Sequence, residues 1–357
     1  MSDNRKVSIE VAIETSQPAL DPSGIMQVGM GFWASKTLLT AVKAGIFTIL
    51  AKNKSLSGKE IQTKVGWHDR GVYDLLDTLV ALNFLSRKGL KETAIYSNTP
   101  ETDFFLDRNK QAYIGGILEM ANDRLYKFWA DLDEAMVTGK AQNEIKHTGK
   151  SMFESVYAEP ERLKLFANAM TGISRGNFTA FAKKFDFSKY NTMYDMGGAV
   201  GLLSCLVAEH NPHMQCTSFD LPKVEPIAKE FIEANNQNGN VKTQGGDFFK
   251  NEFPKADVIT MGMILHDWNL EDKKKLIKKA YDALPEGGAF VAIENIIDDE
   301  RKENAFGLMM SLNMLIEFGD AFDFTGADFD SWVKEAGFKS SEKIHLAGPC
   351  SAVIAYK

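Results

Sequence analysis

Apolar residues recur at intervals of three and four between Phe32 and Leu50, through Leu38, Leu39, Val42 and Ile46, which predicts a helix with one buried face. Upstream of about residue 28, Pro18, Pro22 and Gly24 break any period and predict an irregular arm. Two short helices are expected next. Ser57 followed by Glu60 has the form of a capping box, and Val72, Leu75, Leu76, Leu79 and Leu82 make the stripe of the second helix. Phe84-Leu85-Ser86, a turn at Lys88-Gly89, and Ile95-Tyr96-Ser97 then predict a small two-stranded wing. Between Thr102 and Tyr190 the pattern is that of several amphipathic helices, one of them running through Leu163, Phe166, Met170 and Ile173.

From Asn191 the period changes. Apolar runs at 193–196, 215–219, 256–261, 289–293 and 352–356 alternate with helical stretches. The expected fold is α/β, a doubly wound parallel sheet with helices on both faces, and a ligand belongs at the carboxyl ends of its strands.

The first strand end carries the most chemistry. Tyr194-Asp195-Met196-Gly197-Gly198-Ala199-Val200-Gly201 places an acid and a glycine-dense turn before a helix. Glycines let the backbone approach a ligand closely, and the acid accepts hydrogen bonds from its polar groups. Asp220, in Phe219-Asp220-Leu221-Pro222, closes the next strand where a ribose-binding carboxylate would sit. Met196 breaks the Gly-x-Gly-x-x-Gly fingerprint, which disfavours a dinucleotide. In Gly245-Gly246-Asp247-Phe248-Phe249, Asp247 can accept from an adenine amine while Phe248 stacks on its face. Three acids at successive strand ends suit an adenosyl group without phosphates.

With these motifs go Leu265-His266-Asp267-Trp268, Leu284-Pro285-Glu286-Gly287-Gly288 and Ala336-Gly337-Phe338. The series resembles the S-adenosylmethionine-dependent O-methyltransferases of the caffeate, hydroxyindole and bacterial polyketide-tailoring type. The resemblance covers nearly the whole chain, and Ala41-Val42-Lys43-Ala44-Gly45-Ile46-Phe47 looks like that family's dimerisation segment. It implies a class I, Rossmann-like methyltransferase sheet with a mainly helical, winged-helix dimerisation domain over 1–110. The methyltransferase domain would span 111–357, with a helical linker over 111–190 and the core over 191–357. The implied cofactor is S-adenosyl-L-methionine, leaving as S-adenosyl-L-homocysteine, with no metal. The implied partners are a small-molecule acceptor and a second copy of the chain.

By the same resemblance, His266 is the general base, oriented by Glu294 in Val291-Ala292-Ile293-Glu294-Asn295 and by Asp323 in Phe322-Asp323-Phe324-Thr325. An unperturbed imidazole pKa of about 6.5 suits proton removal from a phenol, whose own value lies near about 10 by analogy with tyrosine. The cofactor would be held by Asp195, Gly197, Gly198, Gly201, Asp220, Leu221, Asp247, Phe248, Ser174 and Gly262. Phe166, Met170, Met310, Asn313, Met314 and Glu317 would line the acceptor pocket. The chain departs from the family pattern at Gly262, where a Lys or Arg is common, and at Ala199, which replaces a glycine.

Composition narrows the alternatives. A hydrophobic share of 44% and a charged share of 25% are ordinary for a soluble globular protein. A net charge of -7 argues against a nucleic-acid partner. The candidate recognition helix also sets Asp69, Asp74 and Asp77 against Arg70, the wrong balance for a winged-helix regulator on DNA. Cys205, Cys216 and Cys350 have neither the number nor the spacing of a disulfide framework or zinc site, which predicts a reduced, cytoplasmic protein. No secretory signal and no membrane span are expected. Methylation of a thiol or thioether remains an alternative to a hydroxyl. So does a member of the fold that binds the adenosyl cofactor but hydroxylates, decarboxylates or rearranges its substrate.

Overall fold

The computed structural model describes residues 20–357 apart from Ser151, Asn236 and Asn238; Pro18 lies outside the described residues. The arm expected before residue 28 is in part helical, over Ser23–Gly29, because Pro22 sits at the helix N-cap, where its missing N–H is no loss. The helix predicted over 32–50 is two, Gly31–Lys43 and Ile46–Asn53. Gly45 parts them with φ 72°, a left-handed turn that periodicity does not reveal.

The capping box holds. Ser57 starts the helix Gly58–Val65, its hydroxyl accepting from the Glu60 N–H at 3.3 Å while the Glu60 carboxylate accepts from the Ser57 N–H at 2.8 Å. Helix Asp69–Ala81 comes next, then an antiparallel sheet of three strands rather than two. Strand β3 (Ile95–Asn98) is central, between β1 (Leu56–Ser57) and β2 (Leu85–Lys88). Phe47, Leu50, Ile61, Leu76, Leu79 and Tyr96 make the core of this part.

After a π-helical turn at Ala121–Leu125 and several short helices, the helix Pro160–Lys184 leads into the main sheet. Its strands are β4 (Thr192–Met196), β5 (Gln215–Asp220), β6 (Val241–Gly245), β7 (Val258–Gly262), β8 (Ala289–Glu294), β9 (Ser340–His345) and β10 (Ser351–Tyr356). They lie in the order β6-β5-β4-β7-β8-β10-β9. Strands β4 to β8 are parallel, as expected, and β10 is not: Val353 faces Ala292 on one side and Lys343 on the other in antiparallel register. Only five residues separate β9 from β10, too few for the crossover a parallel pair needs.

Helices cover both faces. Leu203 and Leu206 of helix Leu202–His210 pack with Phe181 on one face of the sheet, against Val258 and Val291. Leu276 and Ile277 of helix Leu270–Ala283, with Phe329 and Val333 of helix Gly326–Ala336, cover Ile259 and Phe290 on the other. Among the described residues no single helix is long and apolar enough to cross a membrane.

Candidate active site

Sheet order reverses between β4 and β7, and at the carboxyl ends of these strands a cavity of about 380 Å³ opens. The glycine turn forms one wall. Gly197 has φ 79°, and a Cβ there would come within 2.8 Å of Ile264 Cγ1. A Cβ on Gly198 would meet Asp195 Oδ2, also at 2.8 Å. Ala199 adopts φ 47°, so the departure from glycine is accommodated in a left-handed conformation. Gly201, at φ 81°, caps the helix Leu202–His210 and does not line the cavity.

Asp195 is buried and accepts from Thr260 Oγ1 at 2.8 Å. Burial pushes its carboxyl up to about 7, against the Thr260 hydrogen bond. Asp220 accepts the backbone N–H of Leu221 at 2.7 Å and of Ala199 at 2.8 Å, tying the second strand end to the glycine turn. Burial lifts it to about 6 despite those bonds. At Asp247, burial raises the carboxyl, but Lys250 and the Phe249 N–H outweigh it and hold the group below its ordinary value. Asp195, Asp220, Leu221, Asp247 and Phe248 all line the cavity, as do Ser174 on the long helix and Gly262 at the end of β7. Phe178 fills the room that a side chain at 262 would need, since a Cβ there would lie 2.7 Å from its ring.

His266 lies on a single 3₁₀ turn, Leu265–Asp267, and is 5% exposed. Its Nδ1 is 3.4 Å from Asp323 Oδ1 and 3.8 Å from Glu294 Oε2, so both acids face the same nitrogen. Neither lines the cavity; they stand behind the ring. Glu294 uses its other oxygen to accept the Ile264 and Leu265 N–H groups, at 3.1 and 3.0 Å, which fixes the turn that carries His266. A third carboxylate, unanticipated in the sequence, is Asp267, whose Oδ1 is 3.4 Å from His266 Nε2. Burial acts to lower the imidazole pKa, but Glu294, Asp267 and Asp323 outweigh it and hold the ring well above its ordinary value, so the unperturbed value of about 6.5 expected from the sequence does not hold here. Burial in turn raises Glu294 and Asp267. The cation facing these acids is Lys273, from the helix behind them.

The opposite wall comes from Phe166 and Met170 on helix Pro160–Lys184, and from Met310, Asn313, Met314 and Glu317 on helix Ala305–Phe318. Asn313 Oδ1 accepts from Trp129 Nε1 at 2.9 Å. Glu317 is not free: Arg124 of the π turn pairs with both its oxygens, and Asn143 donates to it at 2.8 Å. Arg124, Tyr157, Phe178 and Trp268 also line the cavity. The first two lie where no period marks the sequence. Trp268 stands in the motif already singled out, and its ring packs edge-on against Phe248 and Phe249.

Residues 129–339, more than half the chain, match the O-methyltransferase domain model, and residues 26–108 match the O-methyltransferase dimerisation domain. The chain belongs to the O-methyltransferase family. A Streptomyces glaucescens relative, the tetracenomycin polyketide synthesis 8-O-methyl transferase TcmO, is 37% identical over 336 residues, which is 94% of this chain and 97% of that protein. Acetylserotonin O-methyltransferase of Gallus gallus is 30% identical over 94% of this chain and 97% of that protein. The crystal structure of human N-acetylserotonin methyltransferase in complex with SAM superposes with a TM-score of 0.87 at 25% identity, covering 96% of this chain and 99% of that one.

The enzyme is thus an S-adenosyl-L-methionine-dependent methyltransferase of the class I fold. The cavity fits that cofactor on its own terms. Side chains at Gly197 and Gly198 would collide with their surroundings, and the carboxylates of Asp195, Asp220 and Asp247 line the space beside them.

Proposed function

We propose that this methyltransferase alkylates a hydroxyl of a small aromatic acceptor, with His266 as general base and the chain working as a homodimer. The observation that carries the reading is His266 itself. Its Nδ1 is buried against Glu294 and Asp323, and its Nε2, beside Asp267, is the nitrogen left for an acceptor in the cavity that His266 lines. The facing walls are apolar, with Phe166, Met170, Met310 and Met314 suited to a flat ring. The TcmO relative's part in polyketide synthesis supports an acceptor of aromatic polyketide type.

When bound, S-adenosyl-L-methionine supplies the electrophilic methyl group. Asp220 would hold the ribose hydroxyls, Asp247 and Phe248 the adenine, and Ser174, Asp195 and the Gly197–Gly198 backbone the methionine end. Gly201 would shape the turn, and Leu221 and Gly262 would complete the wall. In the neutral form of the ring, His266 Nε2 takes the acceptor's proton, and Glu294 and Asp323 stabilise the imidazolium that results. Removing water sharpens each of these interactions, and holding donor and acceptor in line supplies the rest of the acceleration.

We place the domain boundary near residue 110, which the dimerisation match ending at 108 supports. The three-stranded sheet with helices Gly58–Val65 and Asp69–Ala81 is read as a winged helix used for pairing rather than DNA binding, since Arg70 is already paired with Asp74. Three unpaired, buried cysteines support a cytoplasmic setting.

Replacing His266 by Ala should lower kcat by about 10²- to 10⁴-fold with cofactor affinity unchanged. Activity surviving that change would favour a thioether acceptor or a purely positional role. Product mass with methyl-labelled cofactor checks the transfer itself; a product without label would reject it.

A further inference from the structure

We propose that Lys273 is a positioning residue for methyl transfer: its ammonium, buried between the segments that carry Asp267 and Asp323, offsets the charge of the carboxylates around His266 and limits how tightly they hold a proton on the imidazole. This rests on the reading of His266 as the base.

Lysine is almost never fully buried unless its charge is answered. Lys273, near the start of helix Leu270–Ala283, has no exposed surface. Its Nζ donates to the Trp268 carbonyl oxygen and stands 3.5 Å from the centre of the Phe322 ring. Those two partners adjoin Asp267 and Asp323, so the ammonium is fixed between the two segments that bring these acids to His266. Among the described residues it forms no direct ion pair. Glu294, Asp323, Asp267 and Asp320 act on it through space, from the end of β8, the loop before helix Gly326–Ala336 and the His266 turn. The groups facing His266 are Glu294, Asp323 and Asp267, with Glu317 acting on Asp267 from the far wall.

Three carboxylates and one imidazole are an unbalanced set. Left alone, they would hold the proton on the ring more tightly still. A cation behind the same acids opposes them, and at an effective dielectric of about 20 a buried charge several ångströms away moves a pKa by on the order of one unit. Burial draws the Lys273 ammonium itself down to about 8, and the acids oppose that, so it still carries its charge at neutral pH.

The test compares Lys273→Met, which keeps length and removes charge, with Lys273→Arg, which keeps charge. The readouts are the NMR titration of His266 in ¹³C-histidine enzyme, assigned with His266→Ala, and the pH profile of kcat/KM. The Met variant should raise the His266 midpoint by about one unit and move the rising limb of kcat/KM by the same amount, while the Arg variant stays near wild type. An unmoved midpoint in the Met variant, or equal movement in both variants, would overturn the proposal in favour of packing alone. Should the Met variant not fold, the wild-type enzyme decides through the Lys273 ¹³Cε resonance, assigned by its absence from the Arg variant. An ammonium at pH 7 supports the proposal and a neutral amine overturns it. Retained activity in His266→Ala would remove the base reading alone, because the NMR titration reports the field of Lys273 without reference to turnover.

Discussion

Arg124 and Glu317 meet across the acceptor wall in a two-point pairing, each contact 3.0 Å long. The carboxylate side chain is only 4% exposed and the guanidinium also grips Glu144 at 2.6 and 2.7 Å. Removing one partner leaves a charge in a dry wall. Arg124→Ala should destabilise the protein by about 3–5 kcal/mol in denaturant unfolding, and Arg124→Met with Glu317→Leu by much less than the two single changes added together. Additive losses would show that the pair is solvated in solution.

Gly197 leaves no room for a side chain. Gly197→Ala places a methyl against Ile264 and holds an L-residue at φ 79°, a strain of about 1–2 kcal/mol. Calorimetry should find cofactor affinity at least about tenfold weaker. Adding Ile264→Ala should recover part of the loss, since it removes the collision but not the backbone strain.

Buried acids set the pH response. Asp195 and Asp220 titrate at about 7 and about 6 in the folded enzyme, above their ordinary 3.8. Between those limits the folded state holds more protons than the unfolded chain, so stability falls as the pH rises through the window. His266 acts in the same direction: its raised value contributes stability below about 6.5 that is lost as the pH climbs further. Urea unfolding of the cofactor-free enzyme should therefore show stability declining from pH 5 to pH 8. Ribose hydroxyls donating to Asp220 favour its ionised form, so cofactor binding near pH 6 should release protons. Calorimetry in buffers of different ionisation enthalpy would detect this, and proton uptake would contradict it.

The helices Ser23–Gly29 and Gly31–Lys43 expose Ile25, Val28, Phe32 and Trp33, the last at 63%. Trp33→Asp with Phe32→Asp should turn the dimer into a monomer in light scattering at micromolar concentration. Circular dichroism should stay unchanged, because neither side chain belongs to the core of that part. A dimer that persists would place the interface elsewhere.

The strands that can be read in the sequence are the inner five of the sheet. β8, with its run Ala289-Phe290-Val291-Ala292-Ile293, announces itself because nothing polar can be tolerated there. β6 and β9 stand at the sheet edges and alternate polar with apolar residues too weakly to be seen. The site divides in the same way. Residues in a fixed frame behind a strand, such as Asp195, Asp220 and His266, can be placed from order alone. Asp267 stands in plain view beside His266, yet only the tightness of the 3₁₀ turn brings it to Nε2. Arg124 and Phe178 depend on how helices cross. Lys273 reads as one more member of the solvated run Lys273-Lys274-Lys275, and only the face it takes on its helix sets it apart.

The π-helical turn Ala121–Leu125 fits one residue more into its turn than an α-helix would, which rotates the helical segment before it by about 100° against the segment after it. Neighbouring positions thereby face partners that one regular helix face could not reach. Asn122 accepts from Lys36 at 2.6 Å and Asp123 pairs with Lys43 at 2.6 Å, both on the helix Gly31–Lys43, while Arg124 turns inward to Glu317. A deletion of one residue here would restore a regular helix and misalign one set of partners. Length as much as composition is what this segment has to keep, because the contacts of Asn122, Asp123 and Arg124 all depend on its count of residues.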